Sequence, residues 1–291
     1  MIKDIRIFLL VPSNNNEKLY KLFFIVYCMG KIIGVLSLKG GVGKTSSVVS
    51  LGSALSHFGK RVLLVDANFS APNLGIHLDI LNPKKTIHHA LSGEHLINDV
   101  VIELEDFDII PASVYPTKKI NPLELKNKLR ILKPKYDYIL IDSSPALNEE
   151  TLATMNASDE LFVISTPDFS TLTMTLKASK LAKKQGVPIN GIILNKVHNK
   201  NFELSLNEIE RTSEMPILAV VPHDLAVLKS QANFVSLPRY KPRSKGSTEY
   251  LKLAASMVGE KYEPFNLREV LSGFNPKRQE INRDLFYQSV F

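Results

Sequence analysis

A glycine-rich bend between an apolar run and a helical pattern constrains the fold of this chain more than any other feature. Residues 32–38 form the apolar run, which predicts a buried strand, and the helical pattern begins at Lys44. Glycine lacks a Cβ, so the backbone N–H groups of residues 40–43 can converge on phosphate oxygens. The N-terminus of the following helix attracts negative charge at the same place. A strand, a glycine-rich turn and a helix in this order predict a phosphate-binding loop.

Two side chains of the loop supply the chemistry that a nucleoside triphosphate needs. Lys44 stands where its ammonium reaches the β- and γ-phosphates, and Thr45 offers a hydroxyl to Mg²⁺. Leu38 occupies the position of the first glycine in the standard pattern, whereas residues 39–45 are intact. The residues predicted to bind the nucleotide at this loop are Gly40, Gly41, Val42, Gly43, Lys44, Thr45 and Ser46.

Residues 39–45, Lys-Gly-Gly-Val-Gly-Lys-Thr, resemble the deviant Walker A motif of the ParA/MinD family of P-loop ATPases. In that motif an additional lysine precedes the glycines, and Lys39 and Lys44 match its two lysines. The resemblance implies that the cofactors are ATP and Mg²⁺ and that two copies of the chain dimerise around ATP. It also implies that Lys39 reaches the phosphates held by the partner copy, in the manner of an arginine finger.

Composition and charge are those of an ordinary globular protein, with 44% hydrophobic and 22% charged residues. The formal charge of +7 permits an anionic partner such as a nucleotide, DNA or a lipid surface, but does not require one. Cys28 is the only cysteine, which excludes a disulfide within the chain. No apolar run reaches the roughly 18–20 residues that span a bilayer. The inferred use of ATP predicts a cytoplasmic protein.

Short apolar runs alternate with helical patterns from residue 29 onward, which predicts a mostly parallel sheet covered by helices on both faces. Several runs are rich in Val, Ile and Leu without alternation, as expected of buried parallel strands. The predicted fold class is therefore α/β, with a single, doubly wound P-loop domain. The predicted strands are 32–38, 61–66, 107–111, 138–142, 161–165, 189–195 and 217–221, and the predicted helices are 45–58, 122–132, 148–156, 170–184, 203–213, 224–232 and 247–258.

The ATPase domain is predicted to cover residues 30–260, between two shorter segments. Residues 1–29 are interpreted as an N-terminal extension with a strand-like piece at 5–11, and one hypothesis is that Met29 is the true start. Residues 261–291 are interpreted as a helical tail.

Two apolar stripes at helical spacing support a helical tail. They comprise Leu267, Val270, Leu271 and Phe274, and then Ile281, Leu285, Phe286 and Val290. MinD relatives in bacteria end in an amphipathic helix that targets a membrane, so the tail is one candidate for a peripheral membrane contact. Basic and acidic residues are balanced over residues 262–291, which favours instead a helix docked on the protein itself or on a partner.

A second predicted strand ends in Asp66, and Asn68 follows two residues later. Ligands of open α/β sheets lie beyond the carboxyl ends of the strands, so both side chains are predicted to face the nucleotide. This segment resembles the family's Asp-x-Asp motif, whose first Asp supports Mg²⁺ through water and whose second positions the attacking water. Asp66 matches the first, whereas Asn68 replaces the second. An amide can orient a water but cannot accept its proton, so we expect slow hydrolysis.

Asp142 follows four apolar residues at the end of another predicted strand, which is the Walker B arrangement near Mg²⁺. The segment from Asp142 to Pro145, Asp-Ser-Ser-Pro, also resembles the family's switch II, which senses the γ-phosphate. Together with the sequence after Asp66, it favours the MinD side of the family and its archaeal relatives. The predicted catalytic residues are Lys39, Lys44, Asp66, Asn68 and Asp142, and the predicted metal-site residues are Thr45, Asp66 and Asp142.

Two later segments resemble the family's contacts to adenine. Asn195 follows an apolar strand with an amide that can donate to and accept from a base edge. Pro222 and Asp224 match a Pro-x-Asp turn whose backbone holds the base. An asparagine turn and a helix N-cap at Asp224 explain the same residues, and both interpretations stay open.

Two further clusters of charged or ionisable residues do not indicate a specific function. Arg239, Lys241, Arg243 and Lys245 alternate in a predicted loop, where they suit either a contact to DNA phosphates or a solvated surface. The histidines His88, His89 and His95 lack a carboxylate or cysteine at metal-ligand spacing, so they are predicted to lie on a solvated loop or helix face.

The combined prediction is a MinD-like ATPase that dimerises with ATP and regulates the division site or the position of other proteins. Its partners would include an activator or cargo protein, with a membrane surface as a further candidate. A ParA-like ATPase that partitions DNA is the first alternative. A nucleotide-gated binding scaffold with little hydrolysis is the second, because of Asn68.

Overall fold

The structure is a computed structural model that describes residues 5–12, 20–27, 30–116, 118–263 and 278–290. Its strands are β1 (Ile5–Pro12), β2 (Tyr20–Tyr27), β3 (Lys31–Leu36), β4 (Val62–Ala67), β5 (Ile102–Glu103), β6 (Asp108–Ile110), β7 (Tyr138–Ser143), β8 (Glu160–Ser165), β9 (Ile189–Val197) and β10 (Ile217–Pro222). Its helices are α1 (Lys44–His57), α2 (Ile87–Leu91), α3 (Leu125–Leu132), α4 (Glu149–Ala157), α5 (Phe169–Gln185), α6 (Leu206–Ser213), α7 (Leu225–Ala232), α8 (Leu237–Tyr240), α9 (Lys245–Val258) and α10 (Arg278–Val290).

The main sheet has eight strands in the order β10-β9-β8-β3-β7-β4-β6-β5, and only β5 at its edge is antiparallel to its neighbour. This confirms the predicted α/β fold with a mostly parallel sheet, and every predicted strand and helix has a counterpart. β1 and β2 form a separate antiparallel pair, in which β1 matches the strand-like piece at 5–11. The sequence did not predict β5, α2 or α8, because elements of two to five residues are too short to show periodicity.

Helices cover both faces of the sheet because the side chains of its inner strands alternate between two hydrophobic cores. In β4, Leu64 packs in the core that contains α1, whereas Leu63 and Val65 belong to the core that contains Leu129 of α3. Burying each such side chain contributes about 1.5–3 kcal/mol. A Cβ at Gly52 of α1 would lie 2.7 Å from Leu64 Cδ2. The helix therefore packs directly on the strand because position 52 has no side chain.

Parallel pairing brings the predicted site residues to one edge of the sheet. Asp66 of β4 lies directly opposite Asp142 of β7, and Val35 of β3 is the partner of Asp142 on the other side. The glycine-rich loop leaves β3 at this edge and leads into α1. Strand register, set by the buried pattern, thus places both carboxylates beside the loop.

The C-terminal helix α10 packs across β10 at the other side of the sheet. Arg283 is buried, and its Nη1 donates to the main-chain oxygen of Leu218 and to Glu249 Oε2, both at 3.0 Å. The Asn282 amide donates to the main-chain oxygen of Ile217 at 2.8 Å. These bonds satisfy carbonyl groups of β10 that no further strand of the main sheet pairs with.

The predicted apolar stripe of α10 explains only part of this contact. Phe286 packs 6.4 Å from Phe162 of the core, measured between ring centroids, but Ile281 and Leu285 remain exposed. The helix therefore docks largely through polar groups. The first predicted stripe, Leu267 to Phe274, lies outside the described residues. Among the helices that the structure describes, none has the length and apolar character that crossing a membrane requires.

Candidate nucleotide-binding site

The loop between β3 and α1 has the backbone conformation that phosphate binding requires. Gly41 and Gly43 have φ values of 77° and 91°, in the left-handed region that favours glycine. A Cβ at Gly43 would lie 2.3 Å from Asn195 Nδ2, so a side chain there would have to displace the Asn195 amide. Gly43 is the N-cap of α1, which directs the first N–H groups of that helix toward the loop.

Lys44 and Thr45 both bind the strand-end carboxylate Asp142. Lys44 Nζ lies 2.5 Å from Asp142 Oδ1, and the Thr45 hydroxyl donates to Asp142 Oδ2 at 2.7 Å. Lys44 and Asp142 are buried, so their charges attract each other strongly and must be paired. The predicted phosphate-binding lysine, metal-binding hydroxyl and Walker B carboxylate therefore meet in one cluster.

Asp66 is the second buried carboxylate of the cluster. Its oxygens accept hydrogen bonds from the backbone N–H groups of Asn68, Asn73 and Leu74 at 3.0–3.1 Å, which fixes the loop after β4. Burial and the neighbouring charge of Asp142 nevertheless raise the pKa of Asp66 to about 7. Two adjacent buried carboxylates that disfavour each other's charge suit a divalent cation.

The donor set fits Mg²⁺ in particular. Within the described residues there is no group of three or more His, Cys, Asp or Glu side chains arranged to hold a metal ion. Mg²⁺ at nucleotide sites is bound through one or two carboxylates, and phosphates and water complete its coordination. The Thr45 hydroxyl and the carboxylates of Asp142 and Asp66 match that requirement.

Asn68 lines a cavity of about 310 Å³ that the glycine-rich loop also lines. The amide NH₂ of Asn68 donates to the main-chain oxygen of Ala71, so its donor groups face the loop. The amide oxygen, which can only accept, is the group left to orient a water molecule.

Lys39 forms its bonds within its own chain. Its Nζ lies 3.1 Å from Asp168 Oδ1 and 3.0 Å from the Thr171 hydroxyl, at the N-terminus of α5. Partial burial acts to raise the pKa of the Asp168 carboxyl. Hydrogen bonds from Thr166, Thr171 and Lys39 nevertheless hold this pKa well below its usual range. Asp168 is thus charged and pairs with Lys39 through a partly exposed ion pair.

Comparison with known proteins agrees with this geometry. Two family models, each described as an AAA domain, match residues 30–177 and 143–231. The chain is 32% identical to an uncharacterized ATP-binding protein of Methanocaldococcus jannaschii over 82% of this chain and 91% of that protein. It is 29% identical to the sporulation initiation inhibitor protein Soj of Bacillus subtilis, over 79% of this chain and 99% of Soj.

Similarity extends to solved structures. The septum site-determining protein MinD of Pyrococcus horikoshii, complexed with Mg-ADP, matches with a TM-score of 0.74 and 32% identity, over 79% of this chain and 96% of that chain. The chain belongs to the ParA/MinD family of P-loop ATPases. The resemblance carried by residues 39–45 is thereby confirmed, as is the relation to MinD-like proteins.

The residues predicted to contact adenine in a ParA/MinD ATPase all line the cavity. In this structure the Asn195 amide donates to the main-chain oxygen of Val42 at 2.8 Å, so it supports the loop. Asp224 Oδ1 accepts from the N–H of Ala226 at 2.8 Å and caps α7, and the N-cap interpretation of its side chain is correct. Pro222 borders the cavity, and its contact to adenine stays a prediction.

Sequence reasoning missed several residues around the cavity of this ParA/MinD protein. Lys196 donates to the main-chain oxygen of Gly41 at 2.6 Å, and Gln231 of α7 donates to the Ser46 hydroxyl. Asp168 was missed as well, although an Asp followed three residues later by Thr171 at a helix start is a recognisable N-cap signal.

The basic cluster is not the continuous loop that the sequence predicted. Arg239 lies in α8, which Ser236 caps, and Lys245 begins α9. The Arg239 guanidinium pairs with Glu105 at 2.6 Å and Asp106 at 3.3 Å, and these carboxylates raise its pKa. Part of the cluster's positive charge is therefore neutralised within the fold.

His88 corrects the expectation that the histidines lie on a solvated face. It is buried in α2, and its Nδ1 accepts from the N–H of Ser113 at 3.1 Å. Burial lowers the pKa of His88, which keeps the ring neutral. Its ring packs edge-on against that of Phe69, in the loop that carries Asn68, with centroids 5.8 Å apart.

A larger cavity, of about 490 Å³, lies away from the site, at the amino-terminal ends of β4 and β6. Its wall includes Lys60, Glu103 and Tyr136, and the Tyr136 hydroxyl donates to Asp108 Oδ2 at 2.5 Å. No predicted site residue lines it. Ligands of open α/β sheets bind at the opposite, carboxyl ends of the strands, so the smaller cavity is the better candidate.

Proposed function

We propose that the protein is a MinD-like ATPase that dimerises around ATP·Mg²⁺, hydrolyses ATP slowly and holds a partner in the ATP-bound state. The observation that carries the proposal is the cluster of Lys44, Thr45 and Asp142 at the carboxyl edge of the sheet. Each bond in that cluster has a counterpart in a complex with ATP·Mg²⁺. Phosphate oxygens replace the carboxylate as the acceptor for Lys44, and Mg²⁺ replaces the ammonium beside Asp142.

Mg²⁺ would be held by Thr45, Asp142 and Asp66 together with phosphate oxygens, and it would neutralise the charge that develops on the transferred phosphoryl group. The remaining chemistry belongs to this chain. The N–H groups of residues 40–45 bind the phosphates, and Lys44 stabilises their negative charge. Asn68 orients the attacking water through its amide oxygen but leaves its proton in place, which supports slow turnover.

Exposed apolar side chains around the cavity support dimerisation on this face. They stand beside residues of the cavity or beside Asp168 and comprise Leu147, Phe169, Leu225 and Leu228. In the ATP-bound dimer Lys39 would leave Asp168 and bind the phosphates of the partner copy. The exposure of both groups of this ion pair makes the exchange inexpensive.

ATP-dependent dimerisation and phosphate release test the proposal together. Sedimentation velocity with Mg²⁺ and ATP should show a dimer, whereas ADP and no nucleotide should leave monomer. The Lys39→Ala variant should bind ATP and remain monomeric, which separates its role from that of Lys44. A wild-type protein that stays monomeric with ATP, or that releases no phosphate, would contradict the proposal.

The biological role proposed for this switch is spatial regulation of the division site or of protein position. An activator or cargo protein would bind the ATP-bound dimer in the cytoplasm or at the membrane surface. Exposed Ile281 and Leu285 on α10 are the apolar groups available to a lipid surface. Sedimentation with liposomes, with and without residues 262–291, tests that contact: loss of ATP-dependent binding on truncation supports it, and equal binding contradicts it.

A ParA-like role in DNA partition is the second candidate, favoured by the similarity to Soj and the formal charge of +7. It predicts ATP-dependent binding to nonspecific DNA that weakens steeply with salt. The third candidate is a scaffold that binds ATP with little hydrolysis, which the replacement of an Asp by Asn68 supports. Single-turnover phosphate release distinguishes it from an enzyme, because a scaffold would retain ATP through many dimerisation cycles.

A further inference from the structure

Glu150 is a buried carboxylate that the proposed mechanism does not use. It lies in the first turn of α4 and is 7% exposed, whereas its neighbour Glu149 is exposed. Glu150 Oε1 accepts a hydrogen bond from the Ser70 hydroxyl. Its Oε2 is buried and has no hydrogen-bond partner in the part of the chain that the structure describes. Burying a carboxylate oxygen in this way costs free energy, so packing alone does not explain the residue.

Ser70 belongs to the short segment that carries Asn68. Each of the three residues 68–70 is held by a different buried, ionisable side chain. The N–H of Asn68 donates to Asp66 Oδ1 at 3.1 Å, the Phe69 ring packs edge-on against the His88 ring with centroids 5.8 Å apart, and the Ser70 hydroxyl donates to Glu150. These three side chains come from β4, α2 and α4. The segment is therefore fixed from three directions.

Glu150 is also tied to the segment that follows Asp142. The Asn148 amide donates to the Ser144 hydroxyl at 3.3 Å, and the Thr151 hydroxyl donates to the main-chain oxygen of Ser144 at 3.2 Å. The first turn of α4 is therefore hydrogen-bonded to the segment 142–145. The bond from Glu150 to Ser70 joins that segment to the loop after β4.

We infer that Glu150 is a positioning residue for ATP hydrolysis, which acts through Ser70 to hold Asn68 in place relative to the segment after Asp142. The inference rests on the proposed function, since it requires that Asn68 orients the attacking water. An amide contributes geometry and no proton transfer, so its effect depends on accurate placement. A misplacement of about 1 Å can reduce the rate by about 100-fold.

Steady-state ATP hydrolysis by the full chain tests the inference with four variants. Ser70→Ala removes the donor of the bond and should lower kcat about tenfold, with KM for ATP and the melting temperature unchanged. Glu150→Gln should lower kcat less, because a glutamine oxygen still accepts from Ser70. Glu149→Gln is the matched control on the same turn and should match the wild type. Ser70→Thr restores a hydroxyl and should restore kcat.

A double variant adds a readout that a purely structural role would not produce. Ser70→Ala combined with Glu150→Gln should be no slower than Ser70→Ala alone, because position 150 acts through a bond that Ser70→Ala has already removed. Unchanged kcat in Ser70→Ala, additive losses in the double variant, or parallel losses of kcat and melting temperature would each overturn the inference. A wild-type protein that binds ATP without turnover would contradict the proposed function itself, and the inference with it.

Discussion

The ion pair at the nucleotide site and the ion pair beneath α10 are buried to a similar extent but have different surroundings. Side-chain exposure is 8% and 1% for Lys44 and Asp142, and 4% and 11% for Arg283 and Glu249. Within the described part of the chain, Lys44 and Asp142 bind side chains only, with Thr45 as the third member. Arg283 also binds the main-chain oxygen of Leu218, and Glu249 accepts from the N–H of a β10 residue at 3.3 Å.

This difference in partners makes the Lys44–Asp142 pair exchangeable and the Arg283–Glu249 pair fixed. In the proposed complex with ATP·Mg²⁺, phosphate oxygens and Mg²⁺ would replace the partners of Lys44 and Asp142 without disturbing the backbone. Replacing the partners of Arg283 would leave main-chain groups of β10 without partners, since Nη1 of the guanidinium and Glu249 satisfy them together. A buried ion pair therefore serves ligand binding where its partners are side chains, and fold stability where its partners include the backbone.

Removing Lys44 should produce the largest functional effect. In Lys44→Ala the affinity for ATP should fall at least about 100-fold, since hydrogen bonds to charged groups contribute about 1.5–3 kcal/mol each and Lys44 reaches two phosphates. Isothermal titration calorimetry with ATP and Mg²⁺ measures the change, and Lys126→Ala on the exposed face of α3 is the control. Equal affinities of the two variants for ATP would contradict the conclusion that the Lys44–Asp142 pair serves ligand binding.

Removing Arg283 should affect stability and leave the nucleotide site intact. Arg283→Ala leaves Glu249 buried without its partner, so the free energy of unfolding should fall by about 3 kcal/mol. Urea denaturation measures it. Arg61→Ala is the control, because the Arg61–Asp137 pair is exposed on both sides, at 63% and 36%, and its loss should cost about 1 kcal/mol or less. Similar losses in both variants would show that Arg283 is no more fixed than a surface residue.

Adding a third carboxylate at the nucleotide site further tests the difference between the two ion pairs. Asn68→Asp should raise turnover about tenfold, because a carboxylate can orient the water and also accept its proton. Without nucleotide the added charge beside Asp66 and Asp142 should lower the melting temperature. Single-turnover phosphate release and thermal denaturation measure the two effects, with Asn127→Asp as the control. Unchanged turnover would mean that position 68 does not limit the rate.

The smallest effect is expected at the exposed pair Lys39–Asp168, with exposures of 38% and 44%. Asp168→Asn preserves the N-cap of α5, since asparagine caps as well as aspartate, but removes the charge that retains Lys39. ATP-dependent dimers should then form a few-fold more tightly, because exposed pairs contribute about 0.2–1 kcal/mol. Sedimentation equilibrium with ATP measures the dimer constant. Weaker dimers would mean that Asp168 itself contributes to the interface.

Contiguous patterns predicted the parts of the site that depend on local chemistry. The loop ending in Lys44 and Thr45 follows a buried run, and Asp66 and Asp142 each end one. Parallel pairing of such runs brings their carboxyl ends to one edge, so the cluster could be predicted without coordinates. Among the elements that the sequence missed, β5 and α2 are too short to have a period, whereas β2, with eight residues, was missed despite its length.

By itself the sequence determined the α/β class, the phosphate loop and the carboxylates that face it, because each is encoded by a few neighbouring residues. Only the tertiary structure decided which partner each charged side chain takes. Lys39 and Asp168 are 129 residues apart, Ser70 and Glu150 are 80 apart, and Arg283 reaches a carbonyl 65 residues away. Such contacts depend on how distant elements pack, and burial makes the pairing of Arg283 obligatory, since an unpaired charge in the interior is costly.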